Sequence, residues 1–219
     1  MLSGGLDSAV LAAQEALTCI VHPVYVAGGL AWEEGEQRIV RRLLSAPPFV
    51  NAAHPIQPLT RLEFGLRDVY PATHWAVRGT PPAYDTPDED VYLHGRNIAL
   101  LSKAAVYAAS RKISRIVVAP LAGNPFPDAT PEFFAALNAA FSLGLAAPVG
   151  IAAPFAHLHK EDVVRMGAHL GVPFELTLSC MNPSDMTHCG LCSKCRERRD
   201  AFHAARILDP TPYANLSPR

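Results

Sequence analysis

An α/β fold with a doubly wound, mostly parallel sheet, closed by a small C-terminal zinc-binding segment, is the architecture this sequence predicts. Three observations predict it. Apolar, β-branched runs alternate with stretches of helical periodicity along most of the chain, the pattern of successive βαβ units. A glycine-rich turn, Ser3-Gly4-Gly5-Leu6-Asp7-Ser8, opens directly onto a helical stretch. Four of the five cysteines fall between positions 180 and 195. The expected division is 1–176 for the α/β domain and 177–219 for the cysteine segment with its following helix.

The 219 residues suit one domain, or one domain with a small appendage. With 49% hydrophobic and 18% charged residues, disorder is excluded as the state of the whole chain. A formal net charge of -1 gives no global basic excess, so no nucleic-acid partner is expected. No apolar run approaches the roughly 20 residues of a membrane helix. The start MLSGGLDSAV lacks the basic and apolar regions of a signal peptide. A cytoplasmic protein without a membrane partner is the expectation.

The elements follow in order. Residues 8–18 read as a helix, with Val10, Leu11, Ala13 and Leu17 as apolar positions. The run 20–27 reads as a buried strand, weakened by His22 and Pro23. An amphipathic helix is predicted over 34–45, acidic in its first turn, basic later, and stopped by Pro47 and Pro48. A weak strand is predicted at 49–53. Six prolines and little periodicity make 55–90 a long loop region or a short-helix insertion. A helix over 97–111 and a strand over 115–122 follow. Thr130 is a predicted cap for a helix over 130–144, with Pro131 at its first turn. The pattern then gives a strand at 149–155, a helix at 160–171 closed by Gly171, and a last helix at 195–208.

The glycine turn can bend sharply and bring its backbone close to a ligand. The amides that follow belong to a helix N-terminus, where free N–H groups and the dipole favour an anion. Ser3 and Ser8 add hydroxyls. Asp7 suits a phosphate only if a divalent cation such as Mg²⁺ bridges them. The loop lacks both GxxxxGK and GxGxxG. An ordinary turn capping a helix is the alternative.

Cys180, Cys189, Cys192 and Cys195 give C-x8-C-x2-C-x2-C. That spacing suits a closed, structural Zn²⁺ site of four thiolates. A C-x-x-C redox pair and an iron–sulfur cluster are the alternatives, with buried free thiols behind them. Lys194, Arg196, Arg198 and Arg199 are candidates to offset the charge of such a centre, and His188 is expected outside its shell.

Ser3–Ser8 resembles the SGGxDS signature of the ATP pyrophosphatase, or PP-loop, superfamily. That resemblance implies an adenine nucleotide alpha hydrolase-like sheet, with Ser3, Gly4, Gly5, Leu6, Asp7 and Ser8 binding the pyrophosphate portion of ATP. With the cysteine spacing, the chain resembles the family of 7-cyano-7-deazaguanine synthases of queuosine biosynthesis. Gly95-Arg96-Asn97, Pro131-Glu132-Phe133 through Asn138, Leu158-His159-Lys160-Glu161 and Gly171-Val172-Pro173 through Ser179-Cys180 carry that likeness. It implies a carbon–nitrogen ligase that adenylates 7-carboxy-7-deazaguanine with ATP and Mg²⁺, admits ammonia, and activates the resulting amide again to form the nitrile. Lys160, Arg96 and Asp7 become the candidate catalytic residues. Asn97, Phe126, Asp128 and Glu132 become substrate candidates. For Lys160 the alternative is a solvated lysine; for Asp128 and Glu132 it is charge at a helix start. Zinc would be structural, and a homodimer is implied.

Two departures carry expectations. The family's loop follows an apolar strand, whereas Met1 and Leu2 alone precede Ser3 here, so a strand encoded further upstream is expected. The family's aspartate-tyrosine pair, second tyrosine and Cys-Arg step are replaced by Asn124 to Thr130, which predicts an altered substrate pocket. A relative that adenylates another carboxylate, and a degenerate nucleotide- and zinc-binding module, are the competing readings.

Overall fold

The computed structural model describes residues 1–215. Residues 216–219, the end of the expected C-terminal segment, lie outside the described residues. The helices are α1 (Leu6–Glu15), α2 (Glu33–Leu44), α3 (Trp75–Arg78), α4 (Arg96–Ser110), α5 (Pro131–Gly144), α6 (Lys160–His169) and α7 (Ser193–Ala205). The strands are β1 (Val24–Ala27), β2 (Thr60–Glu63), β3 (Arg115–Val117) and β4 (Gly150–Ala152).

Among the described residues both strand pairs are parallel, as alternating strands and helices require. β1 pairs with β2, setting Tyr25 beside Arg61, and β3 pairs with β4, setting Ile116 beside Ile151. The two pairs are joined by the start of the chain. The Leu2 amide donates to the Val24 carbonyl at 2.9 Å, and the Met1 amino group donates to the Val117 carbonyl at 2.9 Å. Behind these two residues a cavity of about 370 Å³ separates Val21–Val24 from Ser114–Val117.

Helices cover both faces of this surface. Successive strand residues point to opposite sides. Ile116 belongs to a core formed with Leu101 and Ala105 of α4 and Phe134 of α5. Its neighbour Val117 packs on the other core, where α1, α2, α6 and α7 contribute Val10, Val40, Val163 and Phe202. Strand ends fall short of the predicted ones because proline stops the ladder: Pro23 before β1, Pro120 after β3 and Pro154 after β4.

Two expectations are corrected. Residues 49–53 hold a 3₁₀ turn, Phe49–Asn51, not a strand. Phe49 is buried against Val40 and Leu43, and Pro47 and Pro48 have already bent the chain. Within the predicted loop 55–90, β2 forms beside β1; its four residues are too few for a readable alternation. The same segment also carries α3 and the 3₁₀ turn Asp88–Val91, matching the short-helix form of that reading. Thr130 caps α5 as expected, accepting from the Phe133 amide at 3.1 Å.

Candidate active site and metal centre

The glycine turn packs against α2. Gly4 has φ +84°, and a side-chain carbon there would lie 2.8 Å from Ile39 Cγ2 and 2.9 Å from Val40 Cγ2. Only glycine fits that backbone and that contact. The Ser8 hydroxyl donates to the Gly5 carbonyl at 2.9 Å, while the Gly5 amide donates to Ser3 Oγ at 3.3 Å. The turn thus holds itself in shape at the N-terminus of α1.

Lys160, the first residue of α6, reaches this turn. Its ammonium lies 2.5 Å from Asp7 Oδ2 and 3.0 Å from Glu197 Oε1, with only 18% of its side chain exposed. This is not a solvated surface lysine. Burial works against its charge, but Asp7 and Glu197 outweigh burial and hold it above the ordinary lysine range. Glu197 is held down to about 2: burial pushes it up, and Lys160 and Lys194 pull it down further. Asp7 Oδ1 is buried without a hydrogen-bond partner.

Two adjoining cavities, of about 280 and 390 Å³, open beside the turn. Both are lined by Ser3, Gly5, Asp7, Glu36, Arg96 and Phe126. Asn97 lines the smaller one, and Lys160, Lys194 and Glu197 line the larger. Arg96 makes no ion pair within 4 Å among the described residues, leaving its guanidinium able to take an anion. Aromatic rings frame the space. Phe126 stacks on Tyr92 with centroids 5.5 Å apart, and Trp32 stacks on Trp75 at 5.5 Å.

The substrate candidates separate. Asp128 is spent on Asn97: its Oδ2 accepts from the Asn97 amide at 3.0 Å, and Asn97 Nδ2 donates to the Asp128 carbonyl at 3.0 Å. Together they close the start of α4. Burial raises the Asp128 carboxyl above its usual range, against the pull of the Asn97 amide. Glu132 is exposed in the first turn of α5, away from both cavities, as the helix-dipole reading has it.

Glu36 and Tyr25 were not among the sequence candidates. Glu36 on α2 is 8% exposed and accepts from the Tyr25 hydroxyl at 2.7 Å. Its acidity had an innocent explanation, because Glu33, Glu34 and Glu36 all stand in the first turn of α2. Glu33 in fact binds the loop before it, accepting from the Gly28 and Gly29 amides at 2.8 and 2.9 Å. Burial pushes the Glu36 carboxyl up to about 7, with Arg96 and the Tyr25 hydroxyl pulling it down. Between the ordinary value of 4.5 and about 7 the folded chain binds the proton more tightly than the unfolded chain. The contribution of Glu36 to stability therefore falls as pH rises through that window, by about 3 kcal/mol in all for the ligand-free protein, while His188 and the Met1 amino group, both held below their ordinary values by burial, work the other way. Glu36→Gln is expected to flatten this fall, and melting temperatures measured from pH 4.5 to 8 check it. Parallel profiles for both proteins would refute the assignment.

The four cysteine sulfurs all lie within 4.8 Å of one another. Cys180 to Cys192 is 4.0 Å, Cys189 to Cys195 is 3.9 Å and Cys192 to Cys195 is 3.5 Å. Tetrahedral zinc with bonds of about 2.3 Å sets its sulfurs about 3.8 Å apart, so the residues fit that ion. Amides of Asn182 and Cys189 donate to Cys180 Sγ at 3.3 and 3.2 Å, which favours a thiolate. Contacts with the Cys180 and Cys195 sulfurs hold the Cys192 thiol well below its usual range, and the contact with Cys192 raises Cys180. A shared cation would let all four ionise. At Gly190, φ +78°, an added carbon would fall 1.8 Å from the Asn215 carbonyl oxygen, so the knuckle requires glycine. His188 stands outside the sulfur set, as expected, its Nε2 accepting from the Ser179 amide at 3.0 Å.

Of the basic run expected to offset the metal's charge, Arg196 and Arg198 direct their hydrogen bonds away from the sulfurs, although Arg198 still interacts electrostatically with Cys195. Arg198 is fully buried and donates to Thr211 Oγ1 at 2.6 Å, Thr177 Oγ1 at 2.8 Å and the Phe174 carbonyl at 2.8 Å. It stitches α7 to the segments on either side. Arg196 donates to the Thr86 carbonyl, and Lys194 faces the larger cavity.

Turn and knot meet. The Leu178 amide donates to the Gly4 carbonyl at 2.7 Å, two residues before Cys180. A glycine turn at a helix N-terminus, backed by a half-buried lysine and closed by a four-cysteine knot with the geometry to hold a metal ion, defines a PP-loop enzyme. The family described as "Queuosine biosynthesis protein QueC" matches residues 1–206, and the chain belongs to that family. It is 34% identical to the 7-cyano-7-deazaguanine synthase of Methanoculleus marisnigri, over 97% of this chain and 96% of the relative. It is 33% identical to that of Thermosynechococcus vestitus, over 98% and 94%. The identity to that of Methanothermobacter thermautotrophicus is 30%, over 97% of each.

Proposed function

We propose that this chain is the carbon–nitrogen ligase that converts 7-carboxy-7-deazaguanine and ammonia into 7-cyano-7-deazaguanine at the expense of ATP. Membership of the family and relatives of that name along nearly the whole chain support the reaction. The observation that carries it to named residues is the Lys160–Asp7 contact over the glycine turn, facing the cavities that Arg96 and Phe126 also line.

The chemistry follows from what a carboxylate lacks. It has no leaving group, so its oxygen attacks the α-phosphorus of ATP and pyrophosphate departs. The α1 amides, the serine hydroxyls and Lys160 stabilise the charge that develops on pyrophosphate. Asp7 would hold Mg²⁺, which neutralises phosphate charge when bound. Ammonia adds to the acyl carbon and AMP leaves, giving the amide. The amide oxygen then attacks a second ATP, and loss of AMP and two protons leaves the nitrile. Planar rings at Phe126, Trp32 and Trp75 suit a bicyclic base. Glu36 offers a carboxylate to its N–H edge. Where the family has other groups, Asn124 to Thr130 border the base with Phe126 alone in ring character.

Incubation with ATP, Mg²⁺, ammonia and 7-carboxy-7-deazaguanine tests the reading. Mass spectrometry is expected to detect the amide and then the nitrile, with AMP formed alongside. ATP consumption with a different carboxylate, and none with this one, would overturn it.

A further inference from the structure

We infer that Glu197, on the helix that begins in the cysteine knot, is the positioning residue that holds Lys160 and Lys194 side by side in the larger cavity. The metal centre thereby contributes two side chains to the reaction site. This rests on reading that cavity as the site of the ATP phosphates.

The geometry is a single carboxylate shared by two lysines. Glu197 Oε1 lies 3.0 Å from Lys160 Nζ, and Glu197 Oε2 lies 2.6 Å from Lys194 Nζ. Lys160 is held on its other side by Asp7 at 2.5 Å, and Lys194 by Asp88 at 3.5 Å. All five groups line the cavity of about 390 Å³. Lys194 and Glu197 are three residues apart on α7 and so share one helix face. Cys192 caps that helix and Cys195 stands in its first turn, so the knot that fixes the two sulfurs also fixes the lysine and the glutamate between and after them. Asp7 Oδ1, buried without a partner, marks a place in the same cluster where a donor or cation is still to come.

A lysine side chain loses much rotamer freedom when it is held in one place. Aiming it before substrate arrives lets its charge act in the transition state without reorganisation. Glu197 does this for two lysines at once, from a helix anchored by metal. It does so with a negative charge beside an anion site, which opposes binding of the polyphosphate itself. Removing that charge therefore costs rate without costing affinity.

Glu197→Gln separates these effects. Zinc content and ATP-binding stoichiometry are measured first, and each is expected to stay at one per chain. Steady-state rates of pyrophosphate release are then expected to show kcat lowered about tenfold or more, with KM for ATP unchanged or lower. Glu197→Asp is expected to recover part of kcat. Unchanged kcat, a raised KM for ATP, lost zinc or a raised Mg²⁺ requirement would each overturn the positioning role, the last by making Glu197 a cation ligand. A wild-type protein that binds no ATP would remove the phosphate-site reading and this inference together. A wild type that turns over beside an unimpaired Glu197→Gln removes the inference alone.

Discussion

Cys192→Ser is expected to empty the metal centre and, with it, most of the activity. Cys192 is 1% exposed, caps α7 and touches the sulfurs of both Cys180 and Cys195. A hydroxyl is a poor replacement for a thiolate on zinc, and metal binding in such a knot is itself folding free energy. Losing it releases the helix that carries Phe202 into the main core and Lys194 and Glu197 into the larger cavity. Zinc is expected to drop from one per chain to near zero by elemental analysis. The melting temperature should fall by about 10 °C, the shift a few kcal/mol gives in a chain of this size. Pyrophosphate release should fall at least about a hundredfold. Prolonged chelation of the wild type should reproduce all three changes. Cys19→Ser, remote from the knot, serves as the control and should match the wild type. Full activity in zinc-free Cys192→Ser would show that the knot does not organise the site.

Lys160→Ala has the second largest expected effect. Its ammonium sits between Asp7 and Glu197, so its removal leaves two carboxylates without their common partner beside the glycine turn. Like charges then face the incoming phosphates where a cation stood. Loss of one preorganised charge of this kind lowers turnover by about 10²–10³-fold. Weaker ATP binding should accompany the loss, and isothermal titration reads it separately from rate. Lys160→Arg should recover little, because a planar guanidinium does not fit between the same two carboxylates as a point charge does. Turnover within threefold of wild type would remove Lys160 from the site.

How much of this was legible in the sequence depended on whether a feature is local. The glycine turn is one contiguous hexapeptide, and the backbone freedom of Gly4 and the helix after it are properties of that stretch. The cysteine spacing is local too, since two C-x2-C steps and Gly190 suffice to bring the sulfurs together. Thr130, Pro131 and Gly171 announced helix ends for the same reason. What stayed hidden arrives by packing. Glu36 looked like a charge placed for the helix dipole, and only the closeness of α2 to the turn turns it inward. Glu197 stands within a basic run, and nothing in the sequence singles it out. Asn97 and Asp128, both marked for substrate, satisfy one another across the sequence. The strand Thr60–Glu63 borrows its order from β1 rather than from its own pattern, and Phe49 is drawn into a 3₁₀ turn by the core beneath it.

ATP is expected to lie with its phosphates on the glycine turn, between α1 and the helix of the cysteine knot. A crystal structure with zinc, Mg²⁺ and a nonhydrolysable ATP analogue tests it most directly. The phosphates are expected on the amides of Gly4 to Ser8, with Lys160 Nζ in hydrogen-bond contact with one of their oxygens. A nucleotide seated elsewhere, with Lys160 still bound only to Asp7 and Glu197, would contradict it.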